Sequence, residues 1–136
     1  MRVILDTNIV LDVLLNRRPF VHSAAAIFAL AETSKIDAFL CATTITTVDY
    51  LLTQSLPFPD ARKSLWKLLS LFEIAAVNRP VLEQALRSQM KDFEDAVLAQ
   101  AGLLVGATFI VTRNPKDFTH TPLRVVEPVE FLVLKK

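Results

Sequence analysis

The chain has little glycine, cysteine or histidine, no long apolar run and no excess of one charge sign. Two glycines in 136 residues, with no Ser/Gly-rich or low-complexity stretch, leave little room for linker or disorder. A chain of this length can bury roughly two thirds of its unfolded surface but is too short for two ordinary domains, so residues 1–136 are expected to pack as a single domain. The lone cysteine, Cys41, excludes an internal disulfide, and its place in Ala38-Phe39-Leu40-Cys41-Ala42 reads as a buried thiol. No apolar run approaches the roughly 18 residues of a membrane span. The N-terminus has the pattern of a strand and lacks the blocks of a signal peptide, so no membrane contact and a cytoplasmic location are expected. With 15 Lys and Arg against 14 Asp and Glu, the net charge is +1, and any contact with a polyanion must be local. His22 and His120 fall outside the acidic motifs described below and read as surface or satisfied residues.

What the chain does have is apolar patterning: 52% of its residues are hydrophobic. Arg2-Val3-Ile4-Leu5 runs into Asp6-Thr7-Asn8, and Thr108-Phe109-Ile110-Val111 runs into Thr112-Arg113-Asn114-Pro115-Lys116-Asp117. Short continuous apolar runs bounded by polar residues are the pattern of strands buried on both faces, as in a parallel sheet under helices. Ile36–Cys41, Phe72–Val77 and Leu123–Val126 read as further strands. Between them, Ile9, Val10, Val13 and Leu14 mark one helical face, and Ala24, Ile27, Phe28 and Ala31 mark a helix over Phe20–Thr33. Thr43 or Thr44 is the expected cap of a helix carrying Ile45, Val48, Leu51 and Leu52. After a break at Leu56-Pro57-Phe58-Pro59, a helix is expected from Asp60 with Ala61, Leu65, Leu68 and Leu69 inward. Asn78 caps the next helix, with Pro80 in its first turn and Leu82, Ala85 and Leu86 inward. A helix opened by Asp92 runs to about Leu104 with Ala96, Ala99 and Leu103 inward, and Gly106 closes it. The last segment, from Pro128 to Leu134, is a turn or helix.

In doubly wound α/β layers ligands bind at the carboxyl ends of the strands, which is where these acidic residues fall. Each acid also has a structural reading. Asp6 lies between a strand and a helix, where an aspartate is often an N-cap, and Asp92 with Asp95 can form a capping arrangement at a helix start. Asp49 lies among Ile45, Val48, Leu51 and Leu52 and either points to solvent or requires a partner, because an uncompensated buried carboxylate costs several kcal/mol. Asp117, three residues after Asn114, fits a turn.

The order and spacing of these motifs closely resemble the PIN-domain family, in particular the small PIN proteins that include VapC-type toxins. The resemblance rests on a first strand ending in Asp6-Thr7-Asn8, an acid (Asp49) on the helix after the second strand, Asp95-Ala96 at the head of an Ala-rich helix, and Thr112-Arg113-Asn114-Pro115-Lys116-Asp117-Phe118 after the following strand. It runs from Val3 to Glu127-Pro128-Val129-Glu130-Phe131-Leu132. It implies an α/β three-layer sandwich, with a five-stranded parallel sheet between helices and an acidic pocket at the strand ends. By position, it implies Asp6, Asp49, Asp95 and Asp117 as catalytic acids, with Asp6, Asp95 and Asp117 on metal and Asn8, Asp92, Thr112 and Asn114 as polar support. Two departures matter: Asp49 is one methylene shorter than the Glu usual on that helix, and Asn114 replaces an aspartate of some members.

Gathered carboxylates repel one another unless a cation neutralises them, and an oxygen-only donor set suits Mg²⁺ or Mn²⁺. The function implied is metal-assisted hydrolysis of RNA phosphodiesters by a toxin, with a possible antitoxin partner and a likeness to homodimers to which Leu51, Leu52, Leu56 and Phe58 would contribute. The alternative is a PIN-fold RNA-binding or RNA-processing module with weak or no nuclease activity. A phosphatase or response-regulator reading lacks a second aspartate next to Asp6. Arg17, Arg18, Lys91, Arg113 and Lys116 flank the acids and are the expected RNA contacts. Trp66, Phe58 and Tyr50 read as core.

Overall fold

The computed structural model describes residues 1–135. Five parallel strands form one sheet, β1 (Arg2–Leu5), β2 (Asp37–Cys41), β3 (Glu73–Ala75), β4 (Phe109–Val111) and β5 (Arg124–Val126), in the order β3-β2-β1-β4-β5. The helices are α1 (Thr7–Leu14), α2 (Val21–Glu32), α3 (Ala42–Leu52), α4 (Phe58–Leu71), α5 (Arg79–Arg87), α6 (Phe93–Leu104) and α7 (Pro128–Lys135), and Pro115–Asp117 forms a single 3-10 turn. This is the expected α/β architecture, with helices on both faces of the sheet.

The alternation of side chains along a strand divides the apolar residues between two cores. Val3 and Leu5 of β1 and Val111 of β4 face a core shared with α1, α2, α3, α4 and α7, while Ile4 and Ile110 face a second core under α5 and α6. Cys41 is buried in that second core, as expected of a structural thiol. The chain reverses direction across the sheet between β1 and β4, the neighbours whose carboxyl ends open a crevice.

Both glycines serve α6. Gly106 adopts φ +78, its N–H bonds to the Leu103 carbonyl, and the Ala107 N–H bonds to that of Gly102, the paired bonds of a Schellman ending. At Gly102 a Cβ atom would lie 2.8 Å from Ile4 Cγ2, so only glycine lets α6 approach β1 this closely.

Several local expectations are corrected. The helix α3 follows β2 without an intervening turn, and Cys41 occupies its cap position with no side-chain bond to the helix N–H groups. Thr44 instead shares a hydrogen bond with Thr7, Oγ1 to Oγ1 at 3.1 Å. The helix α4 starts at Phe58, two residues early, because Pro57 sits outside it and Pro59 falls in its first turn, where no amide hydrogen is needed. In α5 the buried residues are Val81 and Ala85, one turn apart, whereas Leu82 and Leu86 are exposed. Leu69 and Leu103 are exposed as well, and so are Trp66, Phe58 and Tyr50, which were expected in the core. Helical spacing alone does not say which of two neighbouring leucines meets the sheet. Among the described residues no helix is long and apolar enough to cross a membrane.

Candidate active site

The crevice between β1 and β4 begins at Asp6. Its backbone extends out of β1 and becomes the N-cap of α1, so the side chain is fixed at a strand end and a helix start together. Asp6 Oδ1 accepts the Thr7 N–H at 2.8 Å and Asp6 Oδ2 accepts the Thr112 hydroxyl at 2.7 Å. Thr112 is fully buried at the end of β4, and its Oγ1 also accepts from Asn8 Nδ2 at 3.4 Å and from the Asn114 N–H at 3.0 Å. One donor and two acceptor positions are all that a hydroxyl has, and here all three are used. The Asn8 side chain in turn accepts the Arg113 N–H at 3.4 Å. Asn8, Thr112 and Asn114 therefore form a polar brace around Asp6.

Across the crevice, Asp92 caps α6 through Oδ1 and the Asp95 N–H at 2.9 Å, as its position in the sequence indicated. The Asp95 carboxyl is left for the hollow of about 420 Å³ that it lines with Lys91, Asp92, Lys116, Asp117 and His120. Burial and then the charges of Asp6, Asp92, Asp117 and Glu94 push the Asp95 carboxyl up to about 7. Asp6 is also raised: burial is the largest cause, Thr112 and the Thr7 N–H oppose it, and the charges of Asp117 and Glu94 add to it. Asp6, Asp95 and Asp117 thus act on one another electrostatically.

Glu94 is the acid that the sequence reading passed over. Its charge adds to the field on Asp6 and Asp95, and it accepts the Thr47 hydroxyl at 3.0 Å, linking α6 to α3. Its place one residue before Asp95 was the only available signal. As the side chains stand, no group of three or more acids, histidines or cysteines among the described residues is close enough to hold a metal ion. The acids share a field without forming a finished cage.

Asp49 is not brought to the other three. It lines a hollow between α3 and α4 with Arg62 and Trp66, 3.9 Å from Arg62 Nε, and it is not among the charges that act on Asp6 or Asp95. The physical reason is helical: Thr47, which reaches Glu94, and Asp49 are two residues apart and so point to nearly opposite sides of α3. The expected basic residues separate in the same way. Lys91 and Lys116 line the acidic hollow, and Arg18 is exposed. Arg113, in contrast, is held by Asp12, and Arg17 Nη1 lies 3.8 Å from the same carboxylate. Asp12, fully buried on α1, is a second residue that the sequence reading missed.

The sequence model described as PIN domain matches residues 2–116. No curated protein sequence matches the chain. Solved structures with the same fold include a toxin-antitoxin complex from Klebsiella pneumoniae, 26% identical with TM-score 0.69 over 93% of this chain and 97% of that one. VapBC2 from Rickettsia felis bound to a DNA fragment from its promoter is 18% identical, TM-score 0.70, over 93% and 98%. VapBC-1 from nontypeable Haemophilus influenzae is 18% identical, TM-score 0.70, over 95% and 99%.

Proposed function

The chain belongs to the PIN-domain family, and from that premise we propose that it is a Mg²⁺- or Mn²⁺-dependent endoribonuclease and the toxin of a toxin–antitoxin pair. The observation that carries this reading is the gathering of Asp6, Asp95 and Asp117 at the mouth of the β1–β4 crevice, where burial and then the charges of its neighbours hold the Asp95 carboxyl at about 7. A divalent cation fits such a set, because all its donors are oxygens and its like charges are relieved by a hard positive ion.

Asp6, Asp95 and Asp117 would hold the ion, which supplies charge neutralisation at phosphate and a more acidic bound water. The remaining steps belong to the chain. Thr112 and the Thr7 N–H fix both oxygens of Asp6, so that carboxylate does not have to be ordered when substrate arrives. Asp95 gives up its proton near neutral pH, so ion binding and proton release are coupled. Lys91 and Lys116, on the same hollow, draw the phosphate backbone of RNA toward an otherwise acidic surface.

Likeness to a toxin-antitoxin complex at 26% identity supports an antitoxin partner. Of the residues expected at a homodimer contact, Leu52 is buried and Leu51 and Leu56 pack against the core, whereas Phe58 is exposed on α4, as are Trp66 and Leu69. We place the dimer face there, and sedimentation of Trp66→Glu as a monomer is the expected result. The function itself is tested with purified protein and single-stranded RNA. Cleavage that requires Mn²⁺ or Mg²⁺, stops with EDTA and disappears in Asp6→Asn and Asp95→Asn supports the enzyme. Tight RNA binding without cleavage under either ion would replace it with the RNA-binding module.

A further inference from the structure

The segment that leaves β4 has to deliver two groups to the crevice, Thr112 at its start and Asp117 five residues later. Within it, the backbone bonds Asp117 N–H to Asn114 carbonyl and Phe118 N–H to Pro115 carbonyl close only the 3-10 turn. They do not fix how that turn is aimed. Phe118, buried in the second core, anchors the far end. The near end is anchored on α1, and here one contact is unlike the others.

Asp12 is fully buried one and a half turns along α1, and the Arg113 guanidinium grips it with Nε to Oδ2 at 2.7 Å and Nη2 to Oδ1 at 3.1 Å. A two-pronged pair of this kind fixes orientation as well as distance. The ring of Phe20 lies 4.0 Å from the guanidinium carbon and covers it from outside, which strengthens the grip by excluding water. Together with Asp6–Thr112 and Asn8–Arg113 N–H, this ties α1 to the β4 exit at three points spread along the helix.

We infer that Asp12 and Arg113 are positioning residues, an ion pair that sets where Thr112 and Asp117 lie relative to Asp6. Arg113 is therefore an internal brace and not an RNA contact. The inference rests on the nuclease reading only for its consequence in activity; the brace itself is a property of the folded chain. Groups that orient ligating carboxylates from behind typically cost about 10- to 100-fold in metal affinity or turnover when removed.

The test replaces both partners, Asp12→Leu with Arg113→Met, because exchanging a whole buried pair for apolar side chains of similar volume commonly leaves folding intact. Three readouts are compared with wild type: amide hydrogen exchange over residues 112–117, Mn²⁺ affinity by titration calorimetry, and kcat and KM for RNA. Expected are faster exchange confined to that segment, Mn²⁺ affinity lower by about 10-fold or more, and kcat lower by a similar factor with KM nearly unchanged. Unchanged exchange and Mn²⁺ affinity overturn the inference, and a rise in KM at unchanged kcat makes Arg113 an RNA contact instead. If the double variant does not fold, Arg113→Lys, which keeps the charge and loses the fork, is read by the same criteria. Should wild type cleave no RNA, or bind no Mn²⁺, while exchange over 112–117 still rises in the variant, the nuclease reading fails and the brace stands.

Discussion

The carboxylates in and around the segment leaving β4 are of two kinds. In the one, Asp12 is fully buried and matched by Arg113 at hydrogen-bond distance, with Arg17 nearby. In the other, Asp6, Asp95 and Asp117 lie close enough to repel, Glu94 and Asp92 add to the charge on Asp95, and among the described residues none of the three has a salt bridge to a lysine or arginine. A charge that only holds the fold is neutralised by the chain itself. Charges that the chain leaves to repel one another are tolerated at a cost in stability, which is why strongly shifted groups in a crevice point to function.

The widest separation between the two sets is expected in activity. Asp6→Ala should lower kcat/KM for Mn²⁺-dependent RNA cleavage by about 10³-fold or more while changing the thermal midpoint little, because the lost cap and Thr112 bonds are offset by relief of repulsion. An equal loss of folding would make Asp6 a cap and nothing else. Next, Arg113→Met alone should destabilise the protein by about 3 kcal/mol in urea unfolding, since it strands the buried Asp12 charge, whereas the double replacement with Asp12→Leu should be close to neutral. Comparable losses in the single and double variants would mean that the pair is not coupled.

The third test uses pH. Asp95 has its folded pKa raised to about 7 from the ordinary aspartate value of 3.8, so the folded state holds a proton that the unfolded chain has released. Stability without metal should therefore fall as pH rises from about 4 through about 7 and level off above, with Asp6 contributing in the same direction. Asp95 is half-buried, and with solvent screening the effect is about 1–2 kcal/mol. Asp95→Asn in EDTA should be more stable than wild type by that amount at pH 8 and equal to it at pH 4, and Mn²⁺ affinity of the wild type should rise across the same interval. A stability that increases with pH would show that Asp95 is not repelled. The smallest effect is expected at Asp49: Asp49→Asn should reduce cleavage less than about 10-fold, because its neighbour is Arg62 and not Asp6. A loss as large as that of Asp6→Ala would return Asp49 to the site.

The opening strand, the Asp92 cap and the Gly106 ending were legible in the sequence because each depends on neighbours along the chain, whereas the five-stranded parallel sheet was implied by the likeness to the PIN-domain family. Continuous apolar runs meant strands covered on both faces, and an acid at a helix start meant a cap. Leu82, Leu86 and Leu103 were misassigned for the complementary reason. Their helical period was right, but its phase is fixed by which flank meets the sheet. Glu94 was overlooked beside Asp95 because two adjacent acids on one turn differ only in direction.

The sequence by itself determined the α/β class and the strand end and helix start at which Asp6 and Asp95 stand, since those follow from apolar period and local capping. Only the tertiary structure decided that Arg113 belongs to Asp12, 101 residues away, and that Asp49 belongs to Arg62. Electrostatic partners are chosen by distance in space, and a distance between remote segments exists only once both cores have closed on the sheet.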